Sequence, residues 1–291
     1  MQRDGLLFSV IVPVYEQWDL VPRLLECLEA QSIDRSTFEI ILVNNGPHTV
    51  AEPKHGGSVQ VIHCPHPGSY AARNAGAALA RGEWFSFTDA DCLPDRDWLQ
   101  QLSTTILQSG PGTLIGGNVV MFSDNDPPSP FEMYDIVKGI PQKRYVSRQY
   151  AATANLTVSS LLFRQIGGFD AKRLSGGDAD FCRRAVASAR AGIMFAEQAR
   201  VYHPARRTWG ELATKVRRVK GGQVTAGPLK RRLSWALMTL TPPLRALYRF
   251  ARKSDLPLRY RLTAMGLQMG LWMVEVLEMI RLVAGRAPER R

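Results

Sequence analysis

WFSFTDADCLP, residues 84–94, reads as a strand that ends in two acids. Trp84, Phe85 and Phe87, with the β-tolerant Ser86 and Thr88, fit a strand buried on both faces. Asp89-Ala90-Asp91 follows directly. In extended backbone, residues two apart share a face, so the spacing predicts two carboxylates side by side. They repel unless something positive joins them. A divalent cation, Mg2+ or Mn2+, suits such hard oxygen ligands. The other reading is a turn whose acids cap the helix expected over 95–109.

Working outward, FSVIVPVY (8–15), EIILVNN (39–45) and VQVIHCP (59–65) read as further strands. Helices are expected over 19–31 and over the small-residue stretch 69–82. Strands alternating with helices predict a mostly parallel α/β sheet. Ligands of such sheets bind beyond the carboxyl ends of the strands. Tyr15, Asn44, Asn45, Asp89 and Asp91 all fall there. A strand over 113–122, a turn-rich break at 123–130 and a more mixed segment up to VYHP complete the body. The expected division is 1–205, with a break at 122/123, followed by an extension over 206–291.

Charge supports that division. Through Glu197 the chain has 17 Lys+Arg against 21 Asp+Glu, and from Arg200 onward 20 against 5. A basic tail suits phosphate-bearing partners, nucleic acid or anionic lipid, or it is a solvated surface. The aromatic interleaving of single-strand binders is not evident, which disfavours nucleic acid. The tail predicts helices over 233–250 and 258–283. In the second, Gln268, Glu275, Glu278 and Arg281 make a narrow polar stripe on an otherwise apolar helix. Packing on the body, burial in a partner and an interfacial position on lipid all fit that pattern. No run reaches the roughly 18–20 apolar residues that a spanning helix needs. The start, MQRDGLLFSVIVPVY, lacks a leader-type cleavage sequence. Four unpatterned cysteines fit a reducing, cytoplasmic compartment.

Glycine-rich dinucleotide and P-loop signatures, His-Glu-x-x-His and Gly-x-Ser-x-Gly are all absent. A second Asp-Ala-Asp stands in SGGDADFCRRA, 175–185. Ser175 and Asp178 have the form of a capping box, yet a carboxylate at a helix start after Ser-Gly-Gly also suits a general base. His203 fits a structural role or a metal ligand. Arg73-Asn74 fits a phosphate contact at a helix start or an ordinary surface pair.

The ordered set FSVIVPVYE, EIILVNNG, GSYAARNAGAALARGEW, FTDADC, GGFD, GGDADFCRRA and VYHP resembles the family-2 glycosyltransferases over residues 8–205. The resemblance implies a GT-A type fold, with a Rossmann-like nucleotide-binding half (1–122), an acceptor and base half (123–205) and a helical basic extension. It implies that Pro13, Val14 and Tyr15, with Glu16 after them, pack on the nucleoside, and that Asn44 and Asn45 read the base. Arg73 would lie near the diphosphate. Asp89-Ala90-Asp91 matches the D-x-D, with Asp91 the direct metal ligand and His203 completing the metal shell. Asp178 matches the catalytic base.

Three departures stand out: Glu16-Gln17 where Asn-Glu is usual, Asn44-Asn45 where an Asp is usual, and Gly177 where a Glu precedes the base. Amides suit uracil or thymine, so a UDP or dTDP donor is favoured. The expected activity is inverting, metal-dependent transfer of single sugars from a nucleotide-sugar to a carbohydrate or lipid-linked glycan. Bacterial polysaccharide or glycolipid synthesis is the expected setting, with residues 206–291 peripheral on an anionic membrane at its cytoplasmic face. A degenerate nucleotide-binding scaffold and a sugar-phosphate nucleotidyltransferase are the alternatives.

Overall fold

The computed structural model describes residues 5–48, 59–173, 175–225 and 228–289. The first four residues of the amino-terminal stretch lie outside that set. The chain divides into two compact units. The first comprises residues 1–120, 140–172 and 177–203, the second residues 121–139, 173–176 and 204–291. The segment after the sixth strand thus groups with the carboxyl-terminal residues.

An eight-stranded sheet runs in the order β3-β2-β1-β4-β7-β6-β8-β5. Strands β1 (Phe8–Val14), β2 (Phe38–Asn44), β3 (Val59–His63) and β4 (Trp84–Phe87) pair in parallel. From there the sheet departs from the mostly parallel expectation. Strand β7 (Leu156–Ser159) pairs antiparallel with β4 and with β6 (Thr113–Phe122), and β8 (Gly192–Pro204) antiparallel with β5 (Leu93–Pro94). The sheet is therefore mixed, parallel among β3, β2, β1 and β4 and antiparallel in the pairs β4–β7, β6–β7 and β5–β8.

Alternation along the strands builds two apolar layers. Phe8, Val10, Val12 and Val14 of β1 join α1 (Val21–Glu29) and α3 (Trp98–Ser109) on one face. Ile11, Ile41, Val43, Phe85 and Phe87 face α2 (Ser69–Leu79), α6 (Ser160–Ile166) and α7 (Gly177–Ala189) on the other. The small residues of α2 have a steric cause: a Cβ at Gly76 would stand 2.6 Å from Ile11 and 3.0 Å from Val43. That helix lies close on the sheet, which fixes where Tyr70 and Arg73 emerge.

In the second unit, α4 (Pro130–Lys138), α8 (Trp209–Thr225), α10 (Leu244–Ala251) and α11 (Leu258–Val283) enclose Tyr134, Val137, Leu212, Phe250, Ala264 and Leu271. A capping box of Ser129 and Glu132 starts α4. The helix expected over 233–250 is interrupted: α9 (Leu229–Thr239) ends before Pro242-Pro243, which supply no N–H to continue the ladder.

Several cations of the basic stretch 206–232 are ion-paired within this unit. Asp135 accepts from the Arg206 guanidinium at 2.8 Å and stands 3.7 Å from Lys215. Burial pushes the Asp135 carboxyl up, but Lys215 and Arg206 outweigh it and hold it at about 2. Burial, with Arg206 adding to it, pushes the Lys215 ammonium down to about 7. Lys220 meets Glu275 at 3.0 Å, Arg207 meets Asp124 at 2.8 Å and Arg217 meets Glu289 at 3.6 Å.

Candidate functional site

The carboxyl ends of β1, β2 and β4 lie along one edge of the parallel half. The chain leaves β1 through Tyr15 and turns at Glu16, which adopts a left-handed conformation at φ 55°. Pro13 and Tyr15 are partly exposed, Val14 is buried and Glu16 is exposed.

Asn44 and Asn45 are both buried at the end of β2, and their amides are committed to loop backbone. Asn44 donates to the His48 carbonyl at 2.7 Å and accepts from the Gly46 N–H at 3.0 Å. Asn45 donates to the carbonyls of Cys64 (3.0 Å) and His66 (2.7 Å) and accepts from the Gly68 N–H at 2.9 Å. These bonds tie the loops together, so the amides do not stand as an open donor–acceptor pair, and the argument for uracil or thymine loses its basis.

After β4 the backbone does not stay extended. The Cys92 N–H donates to the Asp89 carbonyl at 3.1 Å, closing a turn over Asp89-Ala90-Asp91. The two acids therefore converge through a turn and not through strand alternation, while Ala90 packs into the core between them. Neither acid caps α3, which starts only at Trp98 after Asp97.

Each acid has a positive or protonatable neighbour. Asp89 is ion-paired with Arg73, whose side chain is buried and stands over the Tyr70 ring, 5.9 Å from its centroid. Arg73 is thus no surface residue. Asn74 is structural, exchanging bonds with Phe169 at 2.7 and 2.9 Å. Asp91 lies 3.9 Å from Nε2 of His203, buried at the end of β8.

Asp89, Asp91, Cys92 and His203 bring ligand atoms within 4.8 Å of one another. Two carboxylates and an imidazole form a donor set that fits a divalent cation. Cys92 was not foreseen. Burial, with the charges of Asp91 and Asp89, pushes its thiol well up, and a hard cation such as Mg2+ or Mn2+ prefers the oxygen and nitrogen donors to sulfur.

Asp178 occupies the first turn of α7, which begins at Gly177 and not at a Ser175 cap. Its Oδ1 accepts from the Ala179 N–H at 2.8 Å and from the Tyr70 hydroxyl at 3.3 Å. Burial raises the Asp178 carboxyl, while the Ala179 N–H and Arg73 pull in the opposite direction. Burial and the Asp178 charge push the Tyr70 hydroxyl up, so it remains a donor.

Gly177 now has a packing explanation. A Cβ there would stand 2.7 Å from the Tyr70 ring, so that ring fills the space a side chain at 177 would need. Tyr70 was missed in the sequence, although it stands three residues before Arg73 and so on the same helix face. One helix, α2, ties both acidic turns: Arg73 holds Asp89, and Tyr70 holds Asp178.

The family model for glycosyl transferase family 2 matches residues 9–167, more than half of the chain. The protein is a family-2 glycosyltransferase. The glycosyltransferase is 33% identical over 232 residues to the glycosyltransferase AglE of Haloferax volcanii, covering 77% of this chain and 75% of that one. It is 26% identical over 188 residues to a pre-mycofactocin glycosyltransferase of Mycobacterium tuberculosis, covering 61% of this chain and 38% of that one. Among solved structures its fold is similar to the mannosyltransferase PcManGT of Pyrobaculum calidifontis in complex with GDP-Man and Mn2+, with TM-score 0.59, 18% identity and coverage of 93% and 86%. It is also similar to S. aureus TarS 1-349 in complex with UDP-GlcNAc, with TM-score 0.54, 17% identity and coverage of 93% and 82%. These likenesses make the chain a glycosyltransferase with a GT-A-like mixed α/β fold.

Proposed function

We propose that the protein transfers a single sugar from a nucleotide-sugar to an acceptor hydroxyl with inversion, Asp178 being the base. The observation that carries this reading is the pair of acidic turns joined by α2: one is built to hold a cation, the other presents a single desolvated carboxylate. Residues 1–122 would form the donor half and 123–205 would supply the base and His203.

The acceptor oxygen attacks the anomeric carbon as its proton passes to Asp178. The bond from that carbon to the diphosphate oxygen breaks, and the electron pair leaves with the nucleoside diphosphate. One displacement with one base inverts the centre. Mg2+ or Mn2+ held by Asp91 and His203, with Asp89, would supply charge neutralisation of the diphosphate. Arg73 keeps Asp89 in place and adds a fixed positive charge. Pro13, Val14, Tyr15 and Glu16 at the end of β1 would face the nucleoside, and Ala90 holds the turn of the two acids against the core.

The test is product analysis with UDP-, dTDP- and GDP-sugars, Mn2+ and carbohydrate or lipid-linked glycan acceptors. One nucleoside diphosphate released per glycoside formed, with the configuration inverted, supports the reading. A retained configuration overturns it. Nucleotide joined to a sugar phosphate would favour a nucleotidyltransferase, and binding without transfer a degenerate scaffold.

Tyr70 has a distinct expected effect. Its hydroxyl bonds the ionised form of Asp178, so Tyr70→Phe raises the acid limb of the kcat/KM profile. Nucleotide affinity stays within about twofold, because the ring under Arg73 is kept and only an uncharged hydroxyl is removed. A limb that does not move would remove Tyr70 from the account of the base. We also assign residues 206–291 a peripheral contact with an anionic membrane, where a lipid-linked acceptor would be met.

A further inference from the structure

The last helix is built inside out. In α11 the residues that pack inward include the polar ones: Gln268 is 5% exposed and accepts from the Tyr134 hydroxyl at 3.0 Å, and Glu278 is 3% exposed. Leu258, Leu262, Met273, Leu277, Ile280 and Val283 are exposed, with relative accessibilities from 49% to 72%. At 3.6 residues per turn these six fall within an arc of about 120°. The buried Ala264, Gln268, Leu271, Glu278 and Leu282 lie on the opposite side. Gln268 and Glu278 of the polar stripe therefore face the interior, Glu275 is partly buried and Arg281 exposed, while an apolar face is outward.

The pattern recurs in the helices packed against α11. Leu229, Leu233 and Leu237 of α9 are exposed on one face, as are Leu244 and Tyr248 of α10. Among the described residues, four of the large exposed apolar side chains belong to the first unit (Leu79, Leu107, Leu161, Met194) and fifteen to the second. That asymmetry rules out the ordinary scatter of surface leucines as an explanation.

Charge selects the occupant. Residues 229–289 contain 11 Lys+Arg against 4 Asp+Glu. Three of those acids are paired within the unit: Glu275 with Lys220, Glu278 with Arg281 and Glu289 with Arg217. Lys230, Arg245, Arg252, Arg259 and Arg286 are exposed beside the apolar stripes. A second copy of the chain would bring the same excess positive charge to the contact. An anionic lipid surface offers both acyl chains and compensating charge. Among the described residues no helix is long and apolar enough to cross a membrane.

We infer that the outward faces of α9, α10 and α11 insert into the headgroup region of an anionic bilayer, with the flanking arginines on lipid phosphates. This rests on the assignment of residues 206–291 to the membrane, and it is independent of the transfer chemistry. The experiment is vesicle flotation of the full chain, using phosphatidylcholine alone and an equal mixture with phosphatidylglycerol. The wild type is expected to float with the mixed vesicles and not with phosphatidylcholine alone. Leu262→Gln/Met273→Gln/Leu277→Gln weakens binding by roughly tenfold or more, as does Arg245→Gln/Arg259→Gln, the latter with a reduced salt dependence.

Leu107→Gln/Leu161→Gln, exposed leucines of the first unit, changes nothing, and thermal melting checks that each variant is folded. The arginine pair leaves the apolar faces intact and tests the surface if the triple variant does not fold. Wild-type binding that survives both sets of substitutions would overturn this surface while keeping the membrane contact. No wild-type binding to mixed vesicles would overturn both, and a dimer abolished by the triple variant would then identify a second copy as the occupant.

Discussion

Asp178→Asn lowers the rate of sugar transfer by about 10²–10⁴-fold, the range that a general base contributes, while nucleotide affinity stays within about twofold. The amide keeps an oxygen that can accept from Ala179 and Tyr70, the two donors to Oδ1 in the native site. Geometry is thus preserved and only the proton acceptor is lost. The same substitution is expected to raise the melting temperature at neutral pH. Burial raises the Asp178 carboxyl above its ordinary value, so its ionised form is disfavoured in the folded state. A raised carboxyl contributes stability below the unfolded pKa of about 4, and that contribution is lost as pH rises through the folded value. The neutral amide escapes this loss, so the stability difference between variant and wild type shrinks as pH falls. Rate profiles follow the same direction: wild-type kcat/KM has its acid limb above the ordinary aspartate range. Equal losses of nucleotide affinity and of rate in Asp178→Asn would remove it from the role of base.

The second large effect belongs to Asp91. Asp91→Ala is expected to reduce Mn2+-dependent nucleotide affinity by about 100-fold or more, since even outer partners of metal ligands are worth about 10–100-fold. Asp91 is suited to a direct ligand because Asp89 is already ion-paired with Arg73, while His203 stands 3.9 Å from Asp91. A readout without activity is available. Mn2+ at about 100 times its dissociation constant stabilises a binding-competent fold by about 2.7 kcal/mol. That thermal shift should be present in the wild type and absent in Asp91→Ala. An unchanged shift in the variant would remove the turn at 89–91 from the cation site.

What the sequence made legible follows from the range of the interactions involved. Continuous apolar runs located β1, β2 and β4, and small-residue and helical patterns located α2 and α11, because such patterns are local. Asp89, Asp91, Asp178 and His203 were singled out by residue type, and three of them meet in one cluster. The antiparallel β6, β7 and β8 were not foreseen as such, since strand direction depends on pairings far apart in the chain. The same holds for Tyr70, whose partner Asp178 lies 108 residues away. The bonds of Asn44 and Asn45 to loop backbone were not legible, because an amide's chemistry does not reveal whether it is already engaged. In α11 the polar stripe was found, yet the side it faces is set by Tyr134, which is remote in sequence.

Titration calorimetry of UDP, dTDP and GDP, each with and without Mn2+, tests the central claim most directly. The account predicts that at least one nucleotide binds, that binding requires the metal, and that Asp91→Ala abolishes it. Binding that is equally tight without metal, or no binding of any nucleotide, would contradict a cation-centred donor site at Asp89, Asp91 and His203.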